Sequence, residues 1–130
     1  MDNQVSADSI SRVVRAFFEA IRAMDADAWA NTFAENGTIY DPAGSAPTEG
    51  RKALREFVES ICKSFKKVDL TEDHVFVAGH GAAVKWTGRG TSKNGKEVKF
   101  EGIDVFEVDE AGKIQTCWRY WNPNEMFAQL

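Results

Sequence analysis

Residue 67 divides this chain into two hydrophobic patterns. Before it, apolar side chains recur every three to four positions; after it, long runs alternate with a period of two. Helical periodicity followed by a meander of long strands implies helices packed against a sheet.

The first half supplies the helices. In "ISRVVRAFFEAI", Ile10, Val13, Val14, Phe17, Phe18 and Ile21 fall on one face of an amphipathic helix. Met24-Asp25 interrupts it, and Asp25 is placed to cap a short second helix carrying Trp29 and Phe33. Asn36-Gly37 is expected to end that helix, with "TIY" opening a strand. Leu54, Phe57, Val58, Ile61, Cys62 and Phe65 then repeat the helical spacing, which predicts a third helix over residues 49–65 with Thr48 as its cap.

The second half supplies the sheet. Runs 68–78, 81–93, 96–108 and 113–122 are rich in β-branched and aromatic residues and are separated by glycine-bearing turns. The expectation is an α+β fold, helices on one curved antiparallel sheet, forming a single domain over residues 1–130. Asn94-Gly95 is the strongest hairpin signal, because both residues tolerate positive φ. Read as a two-residue loop, it pairs Lys93 with Lys96 and sets Lys85 opposite Asp104. One face then carries Lys85, Thr87, Arg89, Phe100, Asp104 and Phe106, and a Val108–Lys113 pairing adds Cys117, Arg119 and Trp121. The other face carries Val84, Trp86, Ile103, Val105, Trp118 and Tyr120. The second is the more apolar and reads as core, yet phenylalanines mixed with a few charges also describe the wall of a ligand pocket.

Composition excludes several classes. With 43% hydrophobic residues and a net charge of −4, the chain can bury a core and offers no basic footprint for nucleic acid. Lys63, Lys66 and Lys67 form the densest basic cluster and are read as complementing a helix end. No run approaches a membrane span, and "MDNQVSADSISR" lacks the pattern of a secretory leader, so a cytoplasmic protein is expected. Cys62 and Cys117 match no metal or redox spacing and read as free thiols; His74 and His80 are isolated. No metal and no cofactor is expected.

"YDPAGSAPTEGRKALREFVESI" together with "EGIDVFEVDEAGKIQTCWRYWNP" resembles the ketosteroid isomerase and SnoaL-like branch of the nuclear-transport-factor-like superfamily. The resemblance rests on the "DPAGS" loop, the "GRKALREF" helix and the "IDVF" strand, and extends over nearly the whole chain. It implies a cone-shaped, cystatin-like α+β barrel with three N-terminal helices, a homodimer through the sheet face that Trp86, Trp118 and Tyr120 would present, and a cavity for a small hydrophobic or partly polar carbonyl compound.

Ketosteroid isomerase pairs an Asp base with an oxyanion hole formed by a Tyr and a protonated Asp. Carried over by motif, the base falls on Asp41 and the second Asp on Asp104. Where the family places the Tyr, this chain has Phe17, and losing such a donor typically costs about 2.7–4 kcal/mol of transition-state stabilisation. Lys85, opposite Asp104 in the expected register, would hold it ionised and could itself stabilise an enolate, as could Arg119. The implied site is therefore Asp41, Asp104 and Lys85 as catalytic groups, with Phe17, Trp29, Phe57, Phe106, Arg119 and Trp121 binding substrate. Two readings follow: an isomerase, cyclase or lyase whose Asp41 abstracts a proton next to a carbonyl, or a non-catalytic binding or dimerisation module on the same fold.

Overall fold

The computed structural model describes residues 5–130, so residues 1–4 of the stretch read as lacking a secretory-leader pattern lie outside the described residues. Ser6 caps α1 (Ala7–Arg22) by accepting from the Ser9 backbone N–H at 3.1 Å. The helix buries Ile10, Val13, Val14, Phe17 and Phe18, the face that the periodicity marks out. Asp25 accepts from the Ala28 N–H at 3.0 Å and opens α2 (Ala26–Ala30), which buries Trp29.

Phe33 is not helical. It begins β1 (Phe33–Tyr40), and Asn36-Gly37 lies inside that strand rather than before it. The turn residues are absorbed as an irregularity in the pairing with the sixth strand, where Phe33 and Thr38 are separated by a register shift. Nor does Thr48 cap the third helix. Its backbone pairs with Ile39 in β2 (Thr48–Glu49), and Gly50, at φ +90°, makes the turn into α3 (Arg51–Ser64). Arg51 ties that helix end to β1 through two N–H bonds to the Phe33 carbonyl, at 3.0 and 2.8 Å.

β3 (Phe65–Ala78), β4 (Gly81–Ser92), β5 (Glu97–Val108) and β6 (Ile114–Trp121) form the meander. Lys66 and Lys67 thus belong to a strand, leaving Lys63 alone in the last turn of α3. The six strands run in the order β2-β1-β6-β5-β4-β3, antiparallel except for β1 against β6, as a curved, unclosed sheet. A fourth helix, α4 (Pro123–Phe127), follows; five residues are too few to show a period. No helix among the described residues is long and apolar enough to cross a membrane.

The β4–β5 register corrects the two-residue reading. Ser92 N–H donates to the Lys96 carbonyl, and Thr91 pairs with Glu97, so the loop is Lys93-Asn94-Gly95. Gly95, at φ +88°, takes the left-handed position of a three-residue hairpin. One extra loop residue moves every β4 partner by one and exchanges its faces. Lys85 lies opposite Ile103, and Val84 is the residue opposite Asp104. Val84 and Trp86 therefore join Asp104 and Phe106 in the core under the helices, while Lys85 turns to the other face. The β5–β6 register is offset by two from expectation, an even number, so Cys117, Arg119 and Trp121 keep the face assigned to them.

Candidate functional site

Three strands deliver the polar groups of the core. Asp104 sits in the middle of β5, directly opposite Arg119 on β6. Asp41 follows the last residue of β1, whose Tyr40 pairs with Trp118, and the next turn is pinned when Ala43 N–H donates to the Arg119 carbonyl at 2.7 Å. This brings a residue 63 positions away in sequence from Asp104 to the same guanidinium.

Arg119 grips Asp104 with two parallel bonds, Nε to Oδ1 at 2.8 Å and Nη2 to Oδ2 at 2.7 Å. Its Nη1 faces Asp41 Oδ2 at 3.7 Å. Asp41 Oδ1 accepts from the Trp121 indole N–H at 2.6 Å. Asp104 is fully buried, and the side chains of Arg119 and Asp41 are 8% and 7% exposed. The guanidinium also lies against two rings, 5.4 Å from the Phe17 centroid and 5.2 Å from that of Trp86.

Burial raises the Asp41 carboxyl above its ordinary value, an effect that Arg119 and the Trp121 bond oppose without cancelling. Burial works against the Arg119 charge, but the Asp104 carboxylate, its hydrogen bonds and Asp41 outweigh it and hold the guanidinium above its usual range. Burial likewise pushes the neighbouring Cys117 thiol well up. A carboxyl set apart in this way from a permanently charged partner is the arrangement that acid–base chemistry uses.

The aromatic wall assembles around Phe17. Its ring meets Phe106 edge-on at 4.9 Å and Trp29 at 5.5 Å, and Trp29 in turn meets Phe57 at 6.2 Å. Phe57 and Trp121 are half-buried, at the rim. Asp41, Asp104, Phe17, Trp29, Phe57, Phe106, Arg119 and Trp121 are thus linked in one cluster.

Lys85 is not among them. Its Nζ lies 3.2 Å from both Asp73 and Glu101 and donates to the Trp86 carbonyl at 3.0 Å, so the expected Asp104–Lys85 couple does not form. Arg119 holds Asp104 instead. Sequence reasoning placed Trp86 on the opposite face, and the single loop residue accounts for that error too. Two open hollows lie elsewhere, one lined by Met24, Asp27, Arg55 and Glu59, the other by Lys67, Arg89 and Lys99, and neither reaches Asp41. Among the described residues, no three His, Cys, Asp or Glu side chains converge to hold a metal ion.

Gly102 lets the site close up. A Cβ there would stand 2.6 Å from the Tyr120 carbonyl oxygen, 2.7 Å from Trp86 Cζ2 and 2.8 Å from Trp121 Cβ. Gly102→Ala is expected to lose about 1–3 kcal/mol of stability as Trp86 and Trp121 are forced apart, measured as a lowered urea midpoint.

Residues 14–116 match the family model of the SnoaL-like domain. A steroid Δ-isomerase from Nocardioides simplex is 28% identical over 118 residues, covering 90% of this chain and 93% of that protein. Among solved structures, the epoxide hydrolase/cyclase-like enzyme SalBIII, of pyran ring formation in the polyether salinomycin, superposes with a TM-score of 0.81 at 29% identity, covering 91% of this chain and 94% of its own. A putative polyketide cyclase from Xanthomonas campestris pv. campestris gives 0.83 at 22% identity over 98% of both chains, which speaks for the fold alone.

Proposed function

Because the chain belongs to the SnoaL-like domain family, we propose that it is a small-molecule enzyme of isomerase or cyclase type in which Asp41 moves the proton. The observation that carries this reading is the buried bridge Asp41–Arg119–Asp104, with the carboxyl of Asp41 raised and its side chain 7% exposed. A base works best when its pKa approaches the working pH, and burial moves Asp41 in that direction. The substrate is a small hydrophobic or partly polar carbonyl compound. Asp41 takes a proton from the carbon next to the carbonyl, and Arg119 stabilises the charge that collects on oxygen.

The part that ketosteroid isomerase gives to a protonated Asp is not assigned to Asp104. Both its oxygens accept from Arg119, so its role is to hold the guanidinium in place. Phe17 offers no hydroxyl, which argues against steroid isomerisation with the usual donors. The likeness to SalBIII favours a second form of the same step, in which Asp41 takes the proton of a hydroxyl that then closes a ring. The test is solvent-deuterium exchange and turnover over a panel of ketones and epoxy alcohols, with Asp41→Asn beside the parent. An active parent and an equally active variant would remove Asp41 from the mechanism.

The outer face of the sheet is proposed to pair with a second copy of the chain. Phe76, Ala83, Val105, Trp118 and Tyr40 occupy one row across five strands, beside Ile103 and Tyr120 in the next. Phe76, Ile103 and Tyr120 are 68%, 44% and 54% exposed, an apolar surface of the kind that marks an interface. Light scattering is expected to show a dimer at micromolar concentration and a monomer for Ile103→Glu/Tyr120→Glu. A monomeric parent contradicts the pairing.

A further inference from the structure

Two indole N–H groups in the core, those of Trp29 and Trp86, find no acceptor among the described residues. Buried polar hydrogens are nearly always bonded, so each one left over asks for a partner. Their surroundings differ. The Trp29 ring packs against Phe17, Phe33 and Phe57 and has only apolar neighbours among these rings. The Trp86 ring, fully buried, lies on the Arg119 guanidinium and 6.1 Å from the Trp121 ring, whose own N–H is bonded to Asp41. Its Cζ2 edge, next to the carbon that carries the N–H, packs closely on Gly102, where a Cβ would stand 2.7 Å from it, and the Phe100 ring meets the indole edge-on at 5.8 Å. An unused donor thus stands beside the charged groups of the site.

We infer that the Trp86 indole N–H is the hydrogen-bond donor for the substrate's oxygen, a proposal that rests on the proton-transfer reading of Asp41. It supplies from β4 the neutral donor that Phe17 cannot supply from α1, since both rings flank the same guanidinium. As Asp41 takes the proton next to the carbonyl, the C–H electron pair becomes the new C=C bond and the carbonyl π pair moves to oxygen. That oxygen is held by the Trp86 N–H beside the positive charge of Arg119. Asp41 then returns the proton to carbon, and no other reactant is consumed. Because an indole can donate and never accept, the oxygen it recognises must act as an acceptor, as a ketone oxygen does.

The four tryptophans give four indole signals in a ¹⁵N-labelled full-length chain, and the Trp86 signal is assigned by through-bond experiments. The chain is titrated with cyclohexanone and, separately, with methylenecyclohexane, the same ring with CH₂ in place of oxygen. Cyclohexanone is expected to move the Trp86 indole proton downfield, and methylenecyclohexane is not. Trp86→Phe should weaken cyclohexanone binding roughly tenfold and leave the hydrocarbon's binding unchanged, the effect of one neutral hydrogen bond. A Trp86 signal that ignores the ketone up to its solubility limit, or moves equally with both rings, overturns the inference. If Trp86→Phe fails to fold, the parent titration still decides. The Asp41→Asn exchange assay separates the two claims. A responsive Trp86 with an active Asp41→Asn leaves the oxygen site standing without the base, and a silent Trp86 with an inactive Asp41→Asn does the reverse.

Discussion

Asp41→Asn is expected to lose about 10²–10⁴-fold in proton-transfer rate, the usual contribution of a positioned general base and the role proposed for Asp41, and at pH 7 to melt at a higher temperature than the parent. Both effects come from the same burial. Asp41 shares its pocket with Asp104 and a single guanidinium, and Asp104 already occupies two of that guanidinium's donors. The fold therefore raises the Asp41 carboxyl above its ordinary value of 3.8. A group raised in the folded state contributes stability that is fully present below its unfolded value and is lost as pH rises through the folded one. Asparagine keeps the oxygen that accepts from Trp121 and carries no charge at any pH, so it avoids the loss. The two melting temperatures should coincide near pH 3.5 and separate as pH climbs toward 7, with the variant above. Calorimetry across that range checks it; a gap that closes with rising pH would contradict a raised Asp41.

Much of this site was legible in the sequence, and the part that was not has a specific physical origin. Helix periodicity put Phe17 and Phe18 on the buried face of α1, and the motif resemblance picked out Asp41 and Asp104, which the structure joins through Arg119. What failed was one residue of loop length. Glycine at position 95 suits a two-residue and a three-residue hairpin alike, because both need positive φ there. The choice is made by the faces of the strands. In β4 the even positions Ala82, Val84, Trp86, Gly88 and Gly90 are apolar or small, while Lys85, Thr87 and Arg89 are polar. In β5 the even positions Val98, Phe100, Gly102, Phe106 and Val108 are apolar or small, Asp104 excepted, while Lys99, Glu101 and Glu107 are charged at odd positions that also hold Ile103 and Val105. Buried sides must coincide, which pairs even with even and requires the odd-length loop. Alternation taken strand by strand held that answer; counting outward from the turn passed over it and exchanged Lys85 for Trp86. The bulge at Asn36-Gly37 was harder to see. A turn dipeptide inside a strand is told from a strand start only by the partner strand, and β6 lies some eighty residues downstream.

Arg119→Met is expected to be the most destabilising single change in the core, costing about 3–5 kcal/mol against a typical total of about 5–15. It leaves two carboxylates facing each other without the cation between them, one fully buried. Urea unfolding at pH 7 would measure the loss, and lowering the pH should recover part of it as Asp41, no longer facing Arg119, takes up a proton. The companion variant Asp104→Leu/Arg119→Met removes the ion pair whole. Burying the pair required stripping water from both charges, a cost that their mutual attraction largely offsets, so replacing both with apolar side chains of similar size returns the desolvation along with the attraction. The double variant should therefore be more stable than Arg119→Met alone, despite carrying one more substitution in the core. Additive losses from Asp104→Leu and Arg119→Met would show instead that the two residues act independently, which a bidentate contact at 2.7 and 2.8 Å does not allow. Catalysis separates from stability in the same protein. On the proposed mechanism, removing Arg119 takes away the charge that steadies an oxygen beside Trp86, so the double variant is expected to lose proton transfer even while Asp41 keeps its bond to Trp121.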